Sequence, residues 1–198
     1  MAQIKKPEIQ QAILDAAGKM FREYGYHGAS MAQIAKHSGV SSANIYVYFA
    51  SKLEILFTLF DPWQRARLEQ LEADVMKIKN PRERLRFILK TLWHEIPGEE
   101  NCFANNLMQA LSTASPKDKY SRELLFWAEQ KLSMLIASCL PEERRYLCER
   151  GSIAHILFMA FDGFAMNHKL NGPSKRIDHS VDLMVTMLAG SHPDPISD

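Results

Sequence analysis

The sequence predicts an all-α protein of about nine helices with no sheet, and three observations carry that prediction. Apolar residues recur at three- and four-residue steps along most of the chain. Helix-start signals recur with them: Pro7, Ser30-x-x-Gln33, Ser51-x-x-Glu54 and Asn80-Pro81. No run with strand character has a second strand within reach to pair with. The composition agrees, with 46% apolar and 24% charged residues and only nine Gly and nine Pro in 198 residues, the balance of an ordinary globular protein.

Taken in order, Pro7 opens a first helix whose stripe is Ile9, Ile13, Leu14, Ala17, Met20, Phe21 and Tyr24, and Gly25 ends it. The Ser30/Gln33 capping box starts a short helix over 31 to 37. Gly39 then supplies a tight turn, Val40 an apolar plug and Ser41 a cap. Segment 42 to 49, SANIYVYF, has strand propensity, yet it is bracketed by caps and has no partner strand. It is therefore read as a helix, with Ile45 and Phe49 inward and Ser42, Ala43, Asn44, Tyr46, Val47 and Tyr48 spread over its surface. Helices follow over 51 to 60 and 63 to 79, with Asp61-Pro62 a kink or restart that could act as a hinge. Further helices are read over 81 to 96, 101 to 113, 115 to 140, 141 to 170 and 177 to 189, before a polar tail. The domain division is 1–52 for a helix-turn-helix, 53–190 for a larger helical domain, and 191–198 for the tail.

A helix, a Gly-containing turn and a second short helix with a small polar start are the parts of a helix-turn-helix. Ser41, Ser42 and Asn44 offer hydrogen bonds to phosphates or base edges, and Ala43 and Val47 suit a thymine methyl. Tyr46 and Tyr48 offer hydroxyls to phosphates, and Lys52 adds charge at the positive end of the next helix. Residues 1–52 carry six Lys/Arg against three acids, while the rest carries eighteen against twenty, a modest basic head suited to a polyanion.

Residues 9 to 56 resemble the DNA-binding domain of the tetracycline-repressor (TetR) family of bacterial regulators. The resemblance rests on Ala16-Ala17, Phe21, Tyr24-Gly25-Tyr26, Ser30 followed by Ile34-Ala35, Gly39-Val40-Ser41, and Ile45-Tyr46-x-Tyr48-Phe49-x-Ser51-Lys52, in that order over about a quarter of the chain. It implies an all-helical homodimer with a three-helix head and a C-terminal domain that binds a small effector and dimerises through its last two helices. It also implies that Ser42, Ala43, Asn44 and Val47 face bases while Ser30, Tyr46, Tyr48 and Lys52 hold phosphates. Where some members carry an Arg early in the second helix, this chain has Ala32, so an operator is not transferable from them.

In the larger domain, Ile153, Ile156, Leu157, Ala160, Phe161 and Phe164 form one stripe, and Val181, Met184, Val185 and Leu188 another. Such stripes serve a monomer core or a four-helix dimer interface, and the resemblance favours the dimer. Trp93, His94, Asn105, Met108, Trp127, His155, Phe158 and Met159 are candidates for lining an effector pocket of unknown specificity.

The sequence contains no HExxH, GxSxG or P-loop, so an enzyme is the less favoured class and no catalytic residue, metal site or cofactor is expected. Cys102, Cys139 and Cys148 lack CxxC spacing, which disfavours zinc and a disulfide framework and leaves a redox-responsive regulator as an alternative. No apolar run approaches the roughly 18 residues of a membrane span, and the N-terminal residues lack a signal-peptide core, so a cytoplasmic protein with no membrane partner is expected. The expected partners are a double-stranded DNA operator, a second copy of the chain and a small-molecule effector.

Overall fold

The structure, a computed structural model, describes residues 5–100, 102–114 and 122–190. Among them are nine α-helices and no strand: α1 Pro7–Gly28, α2 Met31–His37, α3 Ser42–Tyr48, α4 Lys52–Val75, α5 Pro81–Lys90, α6 Phe103–Thr113, α7 Glu123–Ala137, α8 Ser152–Asn171 and α9 Ile177–Ala189. The expected polar tail at 191–198, Asn101 and the helix start at Ser115-Pro116 lie outside the described residues. No single helix among the described residues is long and apolar enough to cross a membrane.

The backbone divides into two compact units. The first runs through Gln64 and takes in α6, and the second holds the rest, so α4 contributes to both. In the first unit, α1 packs on α2 and α6, and α2 packs on α3. Ile13, Ala17, Phe21, Ile34, Ile45, Phe49, Ile55 and Leu56 are its sealed centre, joined by Ala110 of α6. In the second unit, α5 packs on α9 and α7 on α8. Its α9 carbonyl end is closed by guanidinium groups: Arg82 donates to Gly190 O at 2.6 Å and Arg144 to Met187 O at 2.9 Å. These bonds satisfy carbonyls that a helix end leaves without partners. Arg86 pairs with Asp182, and the Lys90 ammonium, 2.9 Å from Asp178, holds that carboxyl below its usual range.

Several expectations need correction. The expected break at Asp61-Pro62 is absent, because α4 runs through Pro62 as one helix. The flanking aromatic rings account for this: Phe60 and Trp63, 5.5 Å apart, both pack against Phe103, at 6.0 and 5.2 Å. Packing on both sides of the proline outweighs the one backbone bond that it cannot make. The helix expected to reach Ile96 changes its winding instead, to a π-type turn over Thr91–Glu95 and a 3-10 turn over Ile96–Gly98. That wide turn carries Trp93, whose indole N–H donates to Leu157 O at 3.2 Å while its ring stacks on Phe164 at 5.0 Å. The single helix expected over 141 to 170 is also interrupted. Residues Glu142–Gly151 form 3-10 turns that break at Glu149 and at Arg150, with φ 58. This charged run buries no residue, so nothing holds it in the α form.

Replacing Pro62 with Ala returns a donor to the interior of α4 and removes the ring's clash. The expected outcome is a rise in unfolding free energy of about 1 kcal/mol or more, read by urea denaturation.

Candidate nucleic-acid interface

The helix-turn-helix is built from caps. Ser30 accepts from Gln33 N at 3.3 Å, and the Gln33 side chain accepts from Ser30 N at 3.0 Å, so both halves of the capping box are made. At the other end of α2, Val40 N donates to Ala35 O (3.0 Å) and Gly39 N to Lys36 O (3.3 Å), with Gly39 at φ 74. This pair of bonds is a Schellman closure, which requires a left-handed residue where Gly39 stands. Ser41 then caps α3, accepting from Asn44 N at 3.1 Å.

Helix α3 buries Ile45 and Tyr48, and Phe49, the residue that ends it, is buried beside them. Ser41, Ser42 and Ala43 are exposed, Asn44 and Val47 are half-buried, and Tyr46 stands out at 56% exposure. The outward edge therefore offers hydroxyl, amide, methyl and phenol groups and no charge. Small polar and methyl groups at a helix start are the chemistry that reads base edges, and a phenol suits a phosphate oxygen. Exposed Ser30 adds a second hydroxyl at the start of α2.

Two expected surface residues are turned inward. Tyr48 is only 4% exposed; its hydroxyl accepts from Lys6 N at 3.2 Å, and its carbonyl accepts from Lys5 Nζ at 3.1 Å. It ties the start of α1 to the end of α3 instead of spreading over the surface. Lys52 is likewise engaged. Its ammonium donates to Tyr26 O at 2.5 Å and Ala29 O at 2.6 Å and lies 4.2 Å from the Tyr26 ring centre, and burial pushes its pKa below the usual lysine range. It fastens the start of α4 to the α1–α2 turn. Sequence reading missed Lys5 and Lys6 in this arrangement; their place just before Pro7 was the only signal.

The other candidate sets are only partly gathered. Asn105 and Met108 belong to the first unit, and the remaining six pocket candidates to the second. Trp93 and Phe158 are core, and His94 is half-buried. Trp127 has the Arg65 guanidinium over its ring at 4.6 Å. His155 and Met159 are exposed, and His155 pairs with Glu129 at 2.8 Å. A groove of about 400 Å³ in the first unit, between α1 and the end of α2, contains none of the eight.

Of the ten dimer candidates, Ile153, Leu157, Val181, Val185 and Leu188 belong to the chain's own core, and Ala160, Phe161, Phe164 and Met184 are half-buried. Only Ile156 is fully on the surface, where Met159, Gly163, Met166 and Leu170 continue it along α8 at steps of three and four, with Leu183 and Met187 outward on α9. The inward and outward stripes of α8 follow the same helical period. Cys139 is buried and Cys148 half-buried, and burial pushes both thiols up, away from the reactive thiolate.

Short capped helices, a left-handed Gly turn and an uncharged reading edge define a helix-turn-helix protein. Residues 13–59 match the family described as bacterial regulatory proteins, tetR family. The match covers the first four helices of the chain, α1 from Ile13 through the start of α4. It is similar to the fatty acid metabolism regulator protein of Bacillus subtilis (strain 168), at 33% identity over 97 residues, 49% of this chain and 50% of that protein. The match thus spans half of that relative's length. Two solved structures share the fold: the transcriptional regulator FadR from Bacillus subtilis in complex with stearoyl-CoA (TM-score 0.56, 19% identity, 92% of this chain and 99% of that one) and AibR in complex with isovaleryl coenzyme A and operator DNA (TM-score 0.57, 21%, 93% and 100%).

Replacing Lys52 with Met keeps the aliphatic stem and removes the ammonium that holds two carbonyls. The expected loss is about 1–3 kcal/mol of stability, seen as a lower melting temperature in circular dichroism.

Proposed function

We propose that the chain is a ligand-responsive transcriptional regulator, a repressor that binds a pseudo-palindromic DNA operator as a homodimer and leaves it when a small-molecule effector binds. The observation that carries this reading is the outward edge of α3, with Ser42, Ala43, Asn44, Tyr46 and Val47 presented between two capped helix ends. Base reading falls to Ser42, Ala43, Asn44 and Val47, and phosphate contact to Ser30, Ser41 and Tyr46. Residues 1–52 are the DNA-binding part and 53–190 the effector-binding and dimerisation part. Sites selected from random DNA by the full-length protein test this directly. A recovered palindrome whose binding weakens with salt supports it. Absence of any retained sequence at low salt sinks it. Asn44→Ala then costs about 1–3 kcal/mol on the best site and relaxes its selectivity at one base pair of each half-site.

The homodimer rests on the apolar surface stripe of α8, Ile156, Met159, Met166 and Leu170, with Leu183 and Met187 of α9. A monomer rarely leaves so continuous an apolar face in water, and two-fold pairing buries it against its own copy. A two-fold pair suits a pseudo-palindrome whose half-sites lie about one DNA turn, roughly 34 Å, apart. Met166→Glu combined with Leu170→Glu gives a monomer mass by light scattering; a retained dimer would move the interface elsewhere.

The effector, by likeness to the two regulators solved with acyl thioesters, is an acyl-coenzyme A. Isovaleryl- and stearoyl-coenzyme A titrated against the protein–DNA complex test that class. Release by either supports it, and release by neither refutes it while leaving DNA binding standing.

A further inference from the structure

Helix α6 lies about fifty residues beyond α3 in sequence, yet two of its amides hold the backbone that leads into α2. Asn106, fully buried, donates from Nδ2 to Phe21 O and to Cys102 O, at 3.0 Å each. Gln109 Oε1 accepts from His27 N at 3.2 Å. The Gln109 amide also closes over Gly25, where an added Cβ would meet Oε1 at 3.1 Å and Nε2 at 3.3 Å.

These contacts fall where α1 stops being a helix. Gly25 takes φ 71 and ψ 171, so the carbonyls and N–H groups around it lose their regular helical partners. Asn106 and Gln109 replace some of them from α6. Ala29 N closes the turn on Gly25 O at 3.1 Å, and Ser30, the cap of α2, comes next. Lys52 holds Tyr26 O and Ala29 O of the same turn. Asn106 Oδ1 is buried without a hydrogen-bond partner, a cost that an apolar side chain of similar size would avoid. Side chains chosen for packing alone would not leave that atom orphaned.

We propose that Gln109, supported by Asn106, is a positioning residue for DNA recognition: through His27 N and Gly25 it fixes the α1–α2 turn, and with it the placement of Ser30, α2 and α3. The inference rests on the DNA-binding reading above and adds to it two residues that do not face DNA.

The test uses the full chain and the best site that the wild-type protein selects from random DNA. Gln109→Leu keeps the side-chain bulk but removes the acceptor; affinity for that site falls about tenfold. Its binding to random-sequence DNA at low salt and its melting temperature stay near wild type, and hydrogen exchange quickens in the peptide spanning 25–30. Gln109→Glu keeps an acceptor at the same place and restores both affinity and protection. Wild-type affinity in Gln109→Leu overturns the proposal, as does a Gln109→Glu variant as weak as the leucine one. Equal loss on selected and random DNA with a lowered melting temperature reduces Gln109 to a packing role and also overturns it. A wild-type protein that selects no site refutes the DNA-binding reading itself, and this inference with it.

Discussion

Helix α3 is seven residues long, holds two β-branched and two aromatic side chains, and is far too short to be stable alone. Everything about the head depends on forcing that segment into helical form. Ser41 closes its first turn, Lys5 meets the carbonyl of its last residue, and Ile45, Tyr48 and Phe49 pin its inner face. The inner face is anchored so fully that the outer face is left to small groups with no structural duty. Reading chemistry and folding chemistry are thus divided between two sides of one short helix.

The same economy governs the approach to α2. The α1–α2 turn is the point where α1, α4 and α6 meet through polar bonds: Lys52 from one helix, Gln109 from another, and the turn's own bond from Ala29 to Gly25. Backbone groups that a broken helix leaves without partners have become the attachment points for its neighbours. Net positive charge in the head therefore overstates what faces outward, since Lys52 is turned against carbonyls.

Much of this was legible in the sequence because caps are local. Ser30 with Gln33, Gly39 and Ser41 fix the limits of α2 and the start of α3 to the residue, and Asn171-Gly172 and Ala189 mark the ends of the last helices. Less was legible where distant packing decides. Pro62 stays within a helix because Phe103 supports both flanks, and no pattern within α4 announces Phe103. Tyr48 and Lys52 look like surface groups until Lys6 and the Tyr26 carbonyl are brought to them. On α8 two apolar stripes share one period, so the sequence could not say that Leu157 turns inward while Ile156 turns out. Which of these side chains turn inward is decided by three-dimensional neighbours that no local pattern announces.

The attachment of Lys5 and Lys6 to Tyr48 has a practical meaning. An edit at either lysine acts on the far end of α3, 43 or 42 residues away in sequence. Without the two bonds, the last turn of that short helix would be held by its apolar side alone. The two lysines ahead of α1 thus belong to the fold of the head as much as to its charge.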